Sequence, residues 1–399
     1  MRNWGTVALR DIVEERGLVG GPFGSSLVQK DYRASGVPVI RGTNLNFGRE
    51  LGGDFVFVSE EKTNSDLARN TACPGDLIFT QRGTLGQVAL VPASGLERYV
   101  VSQSQMRLRP NPSIASTTYL FYACSSNNFL KQIDDNAIST GVPHINLGIL
   151  SRLTVPLPDL KIQQAIAEVL GALDDKIAAN TKLAATADEF IRASLLELNE
   201  HASTITTIGE LASNRKQLVD PANMEPDAHY VGLEHIPRRS LWLDSVGSAG
   251  SVTSTKAGFH AGDVLFGKLR PYFHKVVSAP FHGVCSTDVL VLTPRIKDLA
   301  GFLLATVASD YVVERVTAAS EGTRMPRTSW KDLSAVEVAW PGQDKAREFS
   351  ASISPLRQAI EGLFQENQIL AATRDALLPQ LMSGKSRVKD AEAVVSAAV

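Results

Sequence analysis

The sequence has little of what marks secreted, zinc-binding or membrane proteins. Its three cysteines, Cys73, Cys124 and Cys285, form no close pair and no Cys-x-x-Cys spacing, which argues against a disulfide framework and a zinc site. No stretch approaches the roughly 18 uninterrupted apolar residues of a membrane helix, and no apolar leader follows the first residues. We therefore expect a cytoplasmic protein that has no membrane partner and keeps its cysteines reduced.

Motifs of known catalytic sites are also missing. The sequence contains no Asn-Pro-Pro-Tyr/Phe base-flipping motif, no Walker motif, no Gly-x-Ser-x-Gly elbow and no His-Glu-x-x-His. His229 and His235 are six residues apart, and nothing near them suggests a third metal ligand. The sequence predicts a non-enzymatic chain with no metal or cofactor of its own. An enzyme with an unrecognised site is the alternative, which no acid–base constellation supports.

The overall charge excludes a uniformly basic surface. Charged residues make up 21% of the 399 residues and the formal net charge is −2, whereas 44% of the residues are apolar, as in ordinary globular proteins. A sum over the whole chain hides local patches, so nucleic acid is not excluded as a partner. Contacts with DNA must then come from local clusters of basic and polar side chains.

The chain repeats itself. "GDLIFTQRGTLGQVALVP" begins at Gly75 and "GDVLFGKLRPYFHKVVSAP" begins at Gly262, an offset of 187 residues. "STGVPHINLGILSRLTVPLP" from Ser139 and "SEGTRMPRTSWKDLSAVEVAWP" from Ser320 continue the agreement. A period this long predicts a duplicated domain with a core in each copy. Strand-like segments punctuated by Gly and Pro, with short helices between them, predict an α+β fold with a curved, β-rich core.

A helical pattern follows each copy. From Ile162, and again from Phe349, apolar or small residues recur in alternating steps of three and four, as in a coiled coil. We expect these two long helices to pair as an antiparallel coiled-coil spacer, with Leu183 and Phe190 in the seam of the first helix. Asn180 and Asn367 are predicted to be buried polar residues that fix the helix–helix register. A long helix that lies on its own domain is the alternative.

These patterns divide the chain into five parts. The predicted α+β modules are 1–157 and 201–341, the spacer helices are 158–200 and 342–385, and 386–399 is a flexible tail. A helix of roughly 36 residues is about 54 Å long at about 1.5 Å per residue. Two heads that face one side of a duplex are expected to touch half-sites about one turn of about 34–36 Å apart, or slightly more. Because the two copies differ in sequence in the middle of the repeated motif, the half-sites that they contact should differ too.

Four segments carry a resemblance to a known family. They are "GGPFGSSLVQKDYRASGVPVIRGTNL", "GDLIFTQRGTLGQVALV", "VPLPDLKIQQAIAEVLGALDDKIAANTKL" and "ENQILAATRDALLPQLMSGK". Together they resemble the specificity subunit (S, HsdS) of type I restriction-modification systems over nearly the whole chain. The second copy departs from the family pattern, because it lacks the "GPFGS" segment and "PGQDKAREFSASISPL" replaces the helix entry.

The resemblance implies partners as well as a role. It implies two target-recognition domains that bind double-stranded DNA and a helical core that docks two methyltransferase subunits, which methylate N6 of one adenine in each half-site. S-adenosylmethionine would then belong to the methyltransferase, and ATP and magnesium to a restriction subunit where one is present. We expect the exposed helix residues that dock these partners to include Gln163, Gln164, Arg374 and Asp375. A protein–protein scaffold with two α+β heads is the alternative function.

Candidate DNA-contacting residues lie on the repeated turn and before each helix. In the first copy, Gln81, Arg82 and Thr84 occupy a Gly-bounded turn, and Arg suits guanine whereas Gln suits adenine. The second turn carries Lys268, Arg270, Tyr272, His274 and Lys275, and the segments before the helices carry Thr140, His144, Arg324 and Arg327. Further candidates are Arg41, Asn44, Ser102 and Gln103.

Structural interpretations of these residues stay open at this point. The first cluster is alternatively a solvated turn between strands, Tyr272 is alternatively a core residue, and the segments before the helices are alternatively structural turns. The glycines of "GGPFGSSL" either form an anion-binding nest or a tight turn. The base sequence of the target cannot be derived, because readout depends on rotamers and on DNA shape.

Overall fold

The computed structural model describes residues 4–45, 48–139, 141–320 and 325–398. The chain forms two compact units: the first contains the residues up to Ala178 together with those from Gln368 onward, and the second is Ala179–Asn367. Each unit therefore combines one α+β module with parts of both long helices. Among the described residues, no helix is both long and apolar enough to cross a membrane.

The first module alternates short strands with short helices. Its strands are β1 (Thr6–Ala8), β2 (Val13–Gly20), β3 (Val37–Ile40), β4 (Val56–Val58), β5 (Thr71–Ala72), β6 (Leu77–Thr80), β7 (Val88–Leu90), β8 (Tyr99–Val101), β9 (Gln105–Pro110) and β10 (Thr154–Pro156). Its helices are α1 (Glu60–Asn64), α2 (Thr117–Ser125), α3 (Asn127–Asn136) and α4 (Leu147–Arg152), and the long helix α5 (Leu160–Glu200) follows.

The second module has the same kind of alternation. Its strands are β11 (Thr204–Thr207), β12 (Ala212–Asn214), β13 (Leu218–Val219), β14 (His229–Val231), β15 (Gly247–Ser248), β16 (Lys256–Phe259), β17 (Val264–Gly267), β18 (Val276–Ser278), β19 (Gly283–Cys285), β20 (Val289–Pro294) and β21 (Glu337–Trp340). Its helices are α6 (Ile208–Leu211), α7 (Ala300–Val307), α8 (Asp310–Ala318) and α9 (Trp330–Ser334). The long helix α10 (Gln343–Met382) and the short α11 (Val388–Ala398) end the chain.

The duplication predicted from the sequence is confirmed by the strand order. One sheet has the order β2-β9-β6-β7 in the first unit and β12-β20-β17-β18 in the second. A second sheet, β5-β8-β3-β4, corresponds to β16-β19-β14-β15, to which β13 adds an edge strand. Its parallel pair is β3 with β8 in one unit and β14 with β19 in the other. A third sheet pairs β1 with β10, and correspondingly β11 with β21.

The repeated Gly-Asp motif in front of β6 braces the first sheet. Gly75 has a φ of 88°, in the left-handed region that favours glycine. The buried carboxylate of Asp76 accepts the N–H of Cys73 at 2.8 Å and two hydrogen bonds of 2.7 and 2.8 Å from Arg109. A buried carboxylate with this many donors explains why the motif recurs: it closes the turn and ties it to the neighbouring strand.

Asp263 has the same structural role in front of β17. Its carboxylate accepts the N–H of His260 at 2.8 Å, the hydroxyl of Thr293 at 2.7 Å and the guanidinium of Arg215 at 3.0 Å. Gly262 precedes it with a φ of 89°. The motif that revealed the repeat is therefore structural, and the residues that follow each strand are where the two modules differ.

The long helices enter the core of each unit from opposite ends. The core of the first unit contains Ile166, Val169 and Leu173 from α5 together with Leu370, Leu377 and Leu381 from α10. The core of the second unit contains Ala187, Ile191 and Leu195 from α5 together with Phe349, Ile353 and Ile360 from α10. The N-terminal part of each helix thus lies with the C-terminal part of the other, so the two helices are antiparallel.

The predicted seam is wrong at Leu183 and Phe190, whereas Ala187, which it also included, is buried. The side chains of Leu183 and Phe190 are 52% and 56% exposed, although the heptad pattern assigned them to the seam. The reason is that α5 also packs on the module of the second unit, where Trp242 donates its indole N–H to the carbonyl of Ala184 at 3.1 Å. Burial therefore follows the face of α5 that this module covers.

The predicted flexible tail is wrong over Val388–Ala398. This segment is helix α11, and Ala391 and Val395 are buried in the core of the first unit. Val388 packs partly against the same core. Apolar residues at spacings of three and four place one apolar face on a helix, which gives the segment a reason to dock.

Candidate nucleic-acid interface

The turn after β6 lies against the segment that precedes α4. The main-chain N–H of Ile145 donates to the carbonyl of Gln81 at 2.9 Å. Arg82 and His144 face each other in an isolated antiparallel β-bridge. Two candidate segments that are about sixty residues apart in the sequence are thus joined by main-chain contacts into one surface of the first module.

The second module joins its turn to its pre-helix segment in the same way. The main-chain N–H of Thr328 donates to the carbonyl of Lys268 at 3.0 Å, and Leu269 and Arg327 form the corresponding β-bridge. Lys268 is the repeat equivalent of Gln81 at the offset of 187 residues. The main chain is therefore conserved between the two modules, whereas the side chains that it presents are different.

The surface of the first module offers mostly neutral hydrogen-bonding groups and one cation. Arg82 and Thr84 are exposed, and Gln81 and His144 are half-buried. The Nδ1 of His144 lies 3.2 Å from the carbonyl oxygen of Val142. In the neutral ring this contact fixes the proton on Nδ1 and leaves Nε2 as an acceptor.

The surface of the second module is cationic. Lys268 donates its ammonium group to the carbonyl of Thr287, and the guanidinium of Arg327 pairs with the carboxylate of Asp288. Burial lowers the pKa of Lys268, and Asp288 opposes that shift. Lys268 and Arg327 interact with the same carboxylate, that of Asp288. Arg270 adds a third cation to this turn, which leaves a local excess of positive charge suited to phosphate.

Aromatic rings lie within this cationic surface. Tyr272 is exposed, and its ring contacts that of Phe273 edge to face with centroids 4.8 Å apart. The guanidinium carbon of Arg238 lies 3.7 Å from the Phe273 ring centroid. The sequence-based candidates did not include Arg238, although two consecutive arginines after Pro237 were a visible local basic cluster. The core alternative for Tyr272 does not hold.

His274 and Lys275 support the turn rather than face solvent. His274 is 6% exposed, and burial, followed by the charge of Arg239, lowers its pKa. Lys275 donates its ammonium group to the carbonyl of Leu233, and burial lowers its pKa too. The prediction that His274 faces DNA is corrected by this burial. The turn is packed on the side chain of His274. The sequence alone did not reveal which residues of the turn point inward.

Arg41 and Asn44 also have structural positions. The fully buried side chain of Asn44 accepts the N–H of Arg41 at 3.0 Å and donates to the carbonyls of Gly52 and Asp54 at 2.9 and 3.1 Å. Arg41 itself reaches the carbonyl of Asp54 at 3.4 Å. Asn44 is therefore a loop-closing residue, and the prediction that it contacts DNA is corrected by its burial.

Ser102 and Gln103 differ in exposure. Ser102 is buried and donates its hydroxyl to the side chain of Gln105. Gln103 is exposed, and its amide donates to the carbonyls of Gly24 and Leu27 at 2.7 and 3.1 Å. Gln103 thus anchors the Gly-rich turn of the first module. Two remaining candidates, Thr140 and Arg324, lie outside the described residues.

The two asparagines of the long helices are in contact. The side-chain amide of Asn180 donates to the side-chain oxygen of Asn367 at 2.9 Å and to the carboxylate of Glu366 at 2.7 Å. Asn180 is 5% exposed. Whether this pair fixes the register stays a prediction.

The four docking candidates are not equivalent. Gln163 is 1% exposed, accepts the N–H of Ser116 at 2.9 Å and donates to the carbonyl of Pro158 at 2.8 Å, so the prediction that it is exposed is wrong. Gln164, the next residue, is exposed. Arg374 is occupied by the carboxylate of Asp174 at 2.7 Å and by its exposed neighbour Asp375. Gln164 and Asp375 are therefore the members accessible to a partner.

No group of three or more His, Cys, Asp or Glu side chains in the described ranges is arranged to hold a metal ion. The candidate surfaces carry hydrogen-bonding and cationic groups, with aromatic rings in the second module. Such groups can bind phosphates and base edges.

Comparisons with known proteins find similar sequences in one family. The family described as type I restriction modification DNA specificity domain matches residues 1–187. The chain is 24% identical over 290 residues to the type I restriction enzyme EcoDI specificity subunit of Escherichia coli, covering 61% of this chain and 64% of that protein. It is 20% identical to the MjaIX specificity subunit of Methanocaldococcus jannaschii, covering 98% and 95%.

A solved structure shows the same fold. The type I restriction-modification S subunit from M. genitalium matches with a TM-score of 0.54 at 15% identity, over 95% of this chain and 96% of that one. The chain spans just under two thirds, 64%, of the length of the EcoDI subunit.

Proposed function

We propose that this chain, which belongs to the family of non-catalytic type I restriction-modification specificity subunits, binds an asymmetric bipartite DNA site and positions methyltransferases on it. The observation that carries the proposal is the repeated surface of the two modules. In both, a turn after a central strand and a pre-helix segment are joined by the same main-chain contacts.

The different side chains on the two surfaces support two different half-sites. Arg82 can read guanine bidentately, and Gln81 can read adenine. Lys268, Arg270 and Arg327 suit phosphates, where they would fix the register without reading bases. A homodimer would present one surface twice and read a palindrome. Two unlike surfaces in one chain instead favour two unlike sequences separated by a fixed gap.

Partner subunits would supply the chemistry. Adenine N6 cannot be methylated inside the base stack, so the base would be flipped into the pocket of a methyltransferase partner that binds S-adenosylmethionine. ATP and magnesium would belong to a restriction subunit where one is present. This assembly would act in the cytoplasm, where the chromosome is accessible.

Exposed apolar residues on α5 support docking of these partners. Leu183 and Phe190 are solvent-exposed and seven residues apart, so they lie on one face of the helix. The docking candidates are therefore Leu183, Phe190, Gln164 and Asp375. The buried Gln163 is no longer among them. A large apolar pair left in water on a long helix is typical of a surface that another protein covers.

Modified-base sequencing tests the proposal. Genomic DNA is compared between cells with the gene intact, cells with it deleted, and deleted cells complemented with it, all with the neighbouring methyltransferase gene present. We expect N6-methyladenine at one bipartite motif to disappear on deletion and return on complementation. Unchanged methylation would contradict the proposal. Steep loss of duplex binding with rising salt would separate DNA recognition from a protein scaffold.

A further inference from the structure

One aromatic side chain of the first module is almost entirely in water. Phe23 is 90% exposed, more than any other large hydrophobic side chain among the described residues. It lies in the turn between β2 and a 3₁₀ turn at Gly24–Ser26. A phenyl ring this exposed makes few contacts within its own module, so its apolar surface is available to a ligand.

The turn that carries Phe23 is held in place by its neighbours. Gly21 packs so closely that an added Cβ would lie 1.9 Å from the carbonyl oxygen of Ser102, and its N–H donates to the carbonyl of Gln105 at 3.0 Å. On the other side, Gln103 donates to the carbonyl of Gly24 at 2.7 Å. Anchors on both sides of Phe23 fix the main chain, so the ring projects from a preset position.

The turn that carries Phe23 lies next to the turn that carries the base-reading candidates. A Cβ on Gly20 would lie 3.8 Å from the side-chain oxygen of Gln81 and 3.5 Å from Leu147. Gln81 also donates its main-chain N–H to the carbonyl of Ser104 at 2.7 Å, next to the Gln103 that anchors the turn. The turn that carries Phe23 and the turn that carries Gln81 therefore contact the same stretch of main chain, residues 102–105.

We propose that Phe23 stacks on or wedges between bases of the half-site read by the first module, an inference that rests on the proposed DNA-binding function. Phosphates cannot be bound by a phenyl ring, whereas every base offers a π-face, and apolar side chains inserted at a base step unstack it. The second copy lacks the "GPFGS" segment. Phe23 itself can therefore act in only one of the two half-sites.

The test uses the full chain together with the methyltransferase subunits that copurify with it. The complex first selects its motif from a pool of random duplexes. Duplexes that carry this motif are then made with 2-aminopurine at successive positions of each half-site, since unstacking raises the fluorescence of this base. We expect a rise at one step in a single half-site, which Phe23→Ala abolishes, with affinity for the motif reduced about tenfold or more.

Two further variants separate stacking from folding and from general loss of apolar surface. Phe23→Trp should keep both the fluorescence rise and the affinity, because indole stacks at least as well as phenyl. Leu96→Ala removes another exposed apolar side chain of the same module and should change neither quantity.

Three results would overturn the proposal. The first is Phe23→Ala with unchanged affinity and fluorescence, and the second is Phe23→Ala that loses the methyltransferase while DNA binding persists, which would place the ring at a protein interface. The third is a wild-type complex that selects no motif, which would remove the proposed function as well.

Discussion

The side-chain amide of Asn180 in α5, a residue that is 5% exposed, donates to the side-chain oxygen of the half-buried Asn367 in α10 at 2.9 Å. Each helix supplies one partner. Sliding either helix by one turn would part the two amides by about 5.4 Å. Both amides would then lose this bond, so we expect the pair to favour one alignment over its neighbours.

Replacing one member of this pair should destabilise the second unit more than replacing both. Asn180→Leu leaves Asn367 facing an apolar side chain and should lower the free energy of unfolding by about 1–3 kcal/mol. The double variant with Asn367→Leu should recover most of that loss. Urea unfolding of the four proteins in a double-mutant cycle measures the coupling, and Ala185→Leu at an exposed position of α5 is the control. Additive losses would contradict the prediction.

Replacing Asp76 should destabilise the first module more than replacing most other single side chains does. Asp76→Ala leaves the guanidinium of Arg109 and the N–H of Cys73 without their acceptor, and should lower the free energy of unfolding by about 3–5 kcal/mol. Asp263→Ala should act alike in the second module. Chemical denaturation measures both, with the exposed Glu97→Ala as control. A loss as small as that of the control would show that water replaces the carboxylate.

Acid should weaken the second unit through His274. Burial and the charge of Arg239 lower the pKa of His274, Arg192 acts in the same direction, and Asp310 and Glu314 oppose them. The folded state therefore prefers the neutral ring. This contribution is present above the unfolded pKa of about 6.5 and is lost as the pH falls through that value toward the lower folded pKa.

The measurement is the urea midpoint at about pH 8 and about pH 5.5, for the wild type and for His274→Gln, which cannot gain the proton. The wild type should lose more stability on acidification than the variant does. Parallel pH dependence in the two proteins would assign the effect to other groups.

Arg82 and Arg327 should affect DNA binding in different ways. Arg82→Ala removes a candidate base contact, so it should cost about 1–3 kcal/mol at the cognate motif and relax the base preference in one half-site only. Arg327→Ala removes a candidate phosphate contact and should weaken binding of all sequences about equally, lowering the salt slope by about one. Binding to randomised half-sites at several salt concentrations distinguishes the two, with the exposed Arg10→Ala as control.

The repeat and the helices were predictable because they depend on local patterns. Gly75 and Gly262 are needed for a left-handed turn and Asp76 and Asp263 for its closure, so the motif survives in both copies. Sustained heptads predicted the paired helices for a similar reason. Periodicity alone did not show that a third surface, around Trp242, also covers α5 and leaves Phe190 in water.

The errors at single residues share one cause. Gln163, Asn44 and His274 were selected because they are polar, yet each is buried against the main chain or a charged neighbour. A polar side chain hydrogen-bonds either to a ligand or to a main-chain group that has no other partner. Which of the two it does depends on the main-chain groups that the fold leaves unpaired. That information comes from tertiary contacts. The exposed ring of Phe23 was missed for the converse reason, since an apolar residue is assigned to the core by default.

The main-chain bonds from Ile145 to Gln81 and from Thr328 to Lys268 do not depend on the side chains at any of these four positions. Each turn keeps its shape from backbone pairing and from a buried carboxylate in front of the strand. Side chains that the turns expose, such as Arg82 and Thr84 in the first module, can therefore be replaced with little penalty to folding. Under the proposed DNA-binding function, such replacements would change the target preference of one half-site while the other stays as it is.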